Sequence, residues 1–164
     1  MIITMSNVAN ASQPKTLKRL AIAMMLFSFL GFLDATYLTI NHYTGATLPC
    51  TLTHACDIVT QSEYSEFLGI PVALGGVLFY LTIFLGAYFF LEYRSKTYFK
   101  ITAAMTVFGV IFSAWFVYVQ LGILHAICQY CMLSAISSTI LFVLGIAVIK
   151  ISAPSPSPIV NDQE

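Results

Sequence analysis

The sequence predicts an all-α membrane protein: a bundle of four transmembrane helices, with the outward loop between the first two acting as a lid. Three observations carry that prediction. Hydrophobic residues make up 59% of the chain and charged residues 9%, against roughly 25% charged in an average soluble domain, so a soluble fold of this size lacks the polar surface to cover itself. Four stretches each supply the roughly 20 apolar residues that span a hydrocarbon core of about 30 Å. Every lysine and arginine falls in the segments that a four-pass topology puts on one side.

The first stretch, 20–41, is interrupted only by Asp34. It is longer than the apolar core of a signal peptide, follows fourteen residues without a charge before Lys15, and ends without an A-x-A-like site, so it is expected to stay in the mature chain. The second, 70–92, carries no charge before Glu92, and the third (101–124) and fourth (127–149) carry none. Lipid offers the backbone no hydrogen-bond partners, so each must be helical. Lys15, Lys18 and Arg19 precede the first helix, Arg94, Lys96 and Lys100 join the second to the third, and Lys150 follows the fourth. The positive-inside rule then makes both termini and the 2–3 connection cytoplasmic. The formal net charge of zero leaves no basic excess to neutralise phosphates and excludes nucleic acid as a partner.

These assignments divide the chain into a cytoplasmic tail at 1–19, a four-helix domain at 20–150 and a second cytoplasmic tail at 151–164. Residues 1–14 are small and polar and 153–164 rich in Pro and Ser, compositions that bury too little apolar surface to pack. No further soluble domain is expected after the fourth helix. The substantial extramembrane element is 42–68, which carries Asp57, Glu63 and Glu66 but no Lys or Arg.

All four cysteines fall at the outward face: Cys50 and Cys56 as C-x5-C in that loop, Cys128 and Cys131 as C-Q-Y-C where the third helix turns into the fourth. Outward compartments are oxidising. A C-x-x-C at a helix start has a physical use, because unpaired amides and the helix dipole favour a thiolate, and the thiolate is the species that attacks a disulfide. Tyr130, Met132, His125 and the aromatic run Phe112, Trp115, Phe116 put this pair where a lipid-soluble quinone has access, while the loop pair faces soluble proteins. Two pairs, one mobile and one anchored, describe a relay. The competing readings are two structural disulfides, which suit C-x5-C better than a short C-x-x-C bridge that removes little chain entropy, and a four-cysteine zinc site, disfavoured by the x5 spacing.

The stretch 56–71, C-D-I-V-T-Q-S-E-Y-S-E-F-L-G-I-P, resembles the loop-to-helix segment of the vitamin K epoxide reductase family, in particular its bacterial members without a fused thioredoxin-like domain. With Cys50 upstream and Cys128-Gln-Tyr-Cys131 downstream, the resemblance covers about 20–150. It implies that Cys128 and Cys131 are the active-site pair, with Cys131 nearer the quinone. Cys50 and Cys56 are then the shuttle pair, Cys50 facing the partner and Cys56 exchanging with Cys128. Ser62 is the polar residue the family keeps beside the redox centre, or else a cap on the short helix before Gly69. It further implies a quinone acceptor, ubiquinone or menaquinone, and a thioredoxin-like thiol oxidase on the outer side as donor. Animal members carry a Tyr where this chain has Ala135 and an Asn with no counterpart near Val72, departures that fit a quinone better than vitamin K epoxide. The resemblance points to the bacterial inner membrane, with the endoplasmic reticulum membrane as the alternative.

Phe79, Tyr80 and Phe112, with Cys131 and Ser62, are the candidate quinone-binding residues, drawn from aromatic sets on the second and third helices that also include Phe84 and Phe108. No metal is expected. Asp34 is a candidate as an acid within an apolar span, weighed evenly against a partly hydrated structural role. His42, His54 and His125 are weaker candidates for proton transfer. Gly75, Gly76, Gly109 and Gly145 are read as close-packing points between helices. The rival functions are a non-enzymatic tetraspan protein with stapling disulfides, and an outward electron carrier, the latter disfavoured because no cysteine lies mid-membrane or on the cytoplasmic side.

Overall fold

The computed structural model describes residues 15–45, 56–67, 69–93 and 95–152. The tail segments 1–14 and 153–164, and with them most of what the sequence assigns to tails, lie outside the described residues, as do Cys50 and His54.

Helix α1 (Lys15–Thr44) has 30 residues, about 45 Å at 1.5 Å per residue, and overshoots a hydrocarbon core of about 30 Å at both ends. The apolar stretch 20–41 marked only what lipid demands. At the start, the helix takes in Lys15, Lys18 and Arg19, all exposed, whose long stems lie along apolar surface while their charges reach water. At the finish, the extra turn carries His42 out of the bundle. A short helix α2 (Cys56–Thr60) and a 3-10 turn (Glu63–Ser65) follow, then the two-residue strands β1 (Glu66–Phe67) and β2 (Ile70–Pro71), paired antiparallel with Glu66 opposite Pro71 and Phe67 opposite Ile70. Gly69 turns between them at φ +77°, a left-handed conformation that costs glycine nothing.

Helix α3 (Val72–Tyr93) leads through a short connection to α4 (Lys96–Tyr118), which runs into a single π turn, Val119–Ile123. Helix α5 (Gln129–Ser152) completes the fold. Four helices are long and apolar enough to cross a membrane: α1, α3, α4 with its π turn, and α5. The expected four-helix bundle is therefore present. Its fourth helix opens at Gln129 instead of 127, which leaves Cys128 just outside the first turn.

Helix α1 packs on α3 and α5, and α4 packs on α5 and more lightly on α3. The core between them runs from Leu17, Ala21 and Met24 of α1 to Tyr80, Ile83 and Phe90 of α3, Phe99 of α4 and Leu141 and Val148 of α5. At the end away from the cysteines, Phe90 and Phe99 stack at 4.1 Å between ring centres. Large apolar side chains such as Leu30, Phe108, Trp115, Leu133 and Val143 point outward, the face a membrane solvates. Glycine fixes the closest approaches. A Cβ on Gly31 would enter the Tyr80 ring, one on Gly109 would enter Phe79, and one on Gly145 would meet Thr106 and the Ala103 carbonyl. Gly76 lies against Ala35, but Gly75 faces open space, so the packing role expected for the Gly75-Gly76 pair belongs to Gly76 alone.

Candidate functional site

The outward end of the bundle holds a second, smaller apolar cluster: Leu38 from α1, Cys56 and Val59 from α2, and Ala126 and Cys128 from the turn before α5, with Ala73, Leu124, Tyr130 and Cys131 packed against it. This cluster is the candidate site. Cys56 and Val59 lie on one face of α2, three positions apart as neighbours on a helix surface must be, and that face is pressed onto Cys128. The described part of the outward loop thus folds back over the C-x-x-C pair as a lid.

Cys128 and Cys131 are free thiols. Cys128 is fully buried, and its sulfur accepts the Cys131 backbone N–H at 3.4 Å, as an N-cap side chain does for the first turn of a helix. Hydrogen bonding from the Cys131 thiol holds the Cys128 thiol below its ordinary pKa, with the Cys131 and Tyr130 amides adding to the effect and burial and the Asp34 charge opposing it. The sulfur best placed to be a thiolate is therefore the one beneath the lid. Cys56 is disulfide-bonded. Because both thiols of the C-x-x-C pair are free, its bond is to neither of them.

Residues 22–146 match the sequence profile of the Vitamin K epoxide reductase family. The chain belongs to that family. It is an integral membrane protein and a thiol-disulfide oxidoreductase, and the matched span includes all four cysteines and the greater part of every transmembrane helix.

In this member of the vitamin K epoxide reductase family, the C-x-x-C turn is tied to the end of α4. Here the holding residue is Gln120, which the sequence did not single out. It is 1% exposed, its side-chain oxygen Oε1 accepts the Cys128 N–H at 2.8 Å, and its backbone carbonyl accepts the Ala126 N–H at 3.0 Å. One residue of the π turn thereby secures both ends of the passage from α4 to α5. His125, just before the first of those two amides, is driven to φ +48°, a left-handed backbone that a non-glycine residue adopts only when its surroundings enforce it. π turns of this kind cluster at functional sites.

The remaining expected residues distribute unevenly. Ser62 donates its hydroxyl to the Val59 carbonyl at 2.8 Å at the C-terminal end of α2, and makes no side-chain cap hydrogen bond to the 3-10 turn that follows it. Tyr80 is buried in the bundle, donates to the Ser134 carbonyl at 2.7 Å, one turn beyond Cys131, and meets the Phe79 ring edge-on at 5.2 Å. Phe112 does not join them in the bundle, being 61% exposed on the outer side of α4. Asp34 is buried, and its Oδ2 has no hydrogen-bond partner among the described residues. His125 is exposed. His42 is not simply solvated: its Nδ1 lies 3.2 Å from the Thr60 carbonyl and its Nε2 3.2 Å from Glu66 Oε1.

Proposed function

We propose that this protein reoxidises a thioredoxin-like thiol oxidase in the outer compartment, passing electrons through Cys50 and Cys56, then Cys128 and Cys131, to a membrane quinone, and so supports disulfide formation in exported proteins. One observation carries the reading: Cys56 and Cys128 share a single buried cluster, with Cys56 disulfide-bonded and the C-x-x-C pair reduced.

The partner's thiolate attacks Cys50 in the Cys50–Cys56 disulfide and releases Cys56 as a thiolate; the partner's second thiol then attacks the mixed disulfide and leaves Cys50 and Cys56 reduced. Cys56 next attacks Cys128 of the oxidised C-x-x-C pair, breaking the Cys128–Cys131 bond and releasing the Cys131 thiolate. Cys50 attacks Cys56, displaces Cys128 and restores the lid disulfide. Two electrons and two protons have moved inward. The quinone is a two-electron, two-proton acceptor, and its reduction to quinol re-forms the Cys128–Cys131 bond. Its approach to Cys131 follows the shallow apolar groove of about 240 Å³ on α5 lined by Met132, Ala135, Ile136, Thr139 and Ile140. This groove begins one residue past Cys131 and has room because position 135 is alanine. Tyr80 is bonded to the Ser134 carbonyl at the same level of α5, Phe79 packs against its ring, and Ser62 steadies the lid.

The orientation follows from charge. Lys15, Lys18, Arg19 and Lys150 sit at the end of the bundle opposite the cysteines, which by the positive-inside rule supports cytoplasmic termini and thiols on the oxidising side of the membrane, a bacterial inner membrane by the family resemblance. The test is quinone reduction by purified protein in detergent with a reduced thioredoxin-like donor, for the wild type and for Cys50→Ala, Cys56→Ala, Cys128→Ala and Cys131→Ala. Loss of turnover in every variant is expected. A wild type inert toward ubiquinone and menaquinone, with all cysteines staying bridged under mild reductant, would return the protein to the structural reading.

A further inference from the structure

Helix α2 is five residues long, far below the length at which a helix holds itself together in water, yet it carries the cysteine that must reach Cys128. Its seating therefore depends on outside contacts at its ends. The carbonyls of a last helical turn lack partners within the helix; here Asp57 O takes the Gln61 amide and Val59 O takes both the Ser62 amide and the Ser62 hydroxyl. The Thr60 carbonyl is met from outside, by Nδ1 of His42 at 3.2 Å. The other ring nitrogen meets Glu66 Oε1 at 3.2 Å. Both oxygens are hydrogen-bond acceptors, so the ring serves both as a donor when it carries both of its protons. The two oxygens lie on either side of the 3-10 turn, and one side chain thus ties the end of α2 and the start of β1 to the last turn of α1. That turn exists because α1 continues beyond the apolar stretch, and the same helix, one turn earlier, supplies Leu38 to the cysteine cluster. The His42 side chain is 18% exposed and Glu66 50%, so the tie is shielded on the histidine side. Thr60 also returns its hydroxyl to the Cys56 carbonyl at 2.9 Å, which connects the tied end of α2 directly to the residue bearing the thiol.

We infer that His42 is the positioning residue that keeps Cys56 seated over Cys128 during exchange between the two cysteine pairs, an inference that rests on the relay proposed above. His42 touches neither sulfur. Its role is to raise the effective concentration of one thiol at the other by denying α2 alternative positions, which in intramolecular reactions is a large share of the rate.

The experiment compares two electron routes into the full-length protein, with a short-chain ubiquinone as acceptor. A reduced thioredoxin-like protein must pass through the lid; a small dithiol, supplied in excess to the Cys56→Ala background, reduces Cys128–Cys131 directly. His42→Ala is expected to lower kcat with the protein donor about tenfold while leaving its KM nearly unchanged, because docking is unaffected, and to leave the dithiol route in the Cys56→Ala background unchanged. Glu66→Gln, a change at an exposed position, should reproduce the same pattern more weakly and serves if His42→Ala does not fold. In a Cys50→Ala background, which traps the Cys56–Cys128 mixed disulfide, adding His42→Ala should cut the trapped fraction. Equal loss on both routes, or no loss on the protein route, would overturn the assignment of His42. Full protein-driven turnover in Cys56→Ala alone would instead overturn the relay beneath it.

Discussion

Replacing Gln120 by Leu removes a single acceptor from beneath the redox pair while nearly preserving volume. The Cys128 amide, bonded to Gln120 Oε1 at 2.8 Å, is then left in an environment where Gln120 is 1% exposed and Cys128 is wholly buried. A buried donor without a partner costs about 1–3 kcal/mol, a substantial part of the roughly 5–15 kcal/mol that holds a typical domain together. The Ala126 amide keeps its bond to the Gln120 backbone carbonyl, so the loss falls on the position of Cys128 more than on the helix pair. A shift of about 1 Å at a reacting atom can lower turnover by about a hundredfold. The stability change is read by titration into a denaturing detergent using Trp115, the chain's one tryptophan, and the catalytic change by quinone reduction. A free-energy change below about 0.5 kcal/mol together with near-wild-type turnover would refute the claim that this bond holds the pair in place.

Three other substitutions probe the same end of the bundle. Cys131→Ala removes the hydrogen bond that does most to hold the Cys128 pKa down; the pH profile of Cys128 alkylation should move to higher pH, since a raised pKa postpones the thiolate, and an unmoved profile would contradict the assignment. Gly31→Ala forces a methyl into the Tyr80 ring and should cost about 1–3 kcal/mol of overpacking strain, visible in detergent unfolding and as loss of the Tyr80 bond to Ser134. Ser62→Ala deletes one hydroxyl-to-carbonyl bond at the end of α2, about 0.5–1.5 kcal/mol, and should slow partner-driven quinone reduction only severalfold; abolition of turnover would mean that the hydroxyl acts at the redox centre itself.

The four spans were legible because lipid imposes one rule on every residue of a segment, and a window of twenty apolar side chains meets it whatever lies around it. Their ends were less so. Lys15, Lys18 and Arg19 belong to α1 although each argues against a membrane interior, since a long amphipathic side chain lets a helix run past the hydrocarbon boundary. The cysteine pairs and the lid were readable from C-x-x-C chemistry and from the 56–71 motif. Gln120 was not, because a polar side chain near the end of an apolar run looks the same whether it faces water or a buried amide eight residues on. His42 escaped for a similar reason: its partners Thr60 and Glu66 lie 18 and 24 residues away, and nothing local distinguishes a histidine that grips two oxygens from one that is merely wet. Phe112, 61% exposed, shows the converse difficulty, since an aromatic in a membrane span reads alike whether it meets lipid or ligand.

The π turn at Val119–Ile123 amounts to an α-helix carrying one residue more than its pitch requires. Deleting a single residue, Gly122, would let α4 close up as uninterrupted α-helix, with Leu124 still bonded to the Val119 carbonyl it now meets across the π turn. Gln120 would keep its place in the bundle while one residue fewer spanned the distance to the Ala126 and Cys128 amides that it holds. The reactive pair is thus keyed to the rest of the protein by an insertion of one, and length in this stretch should prove less negotiable than sequence.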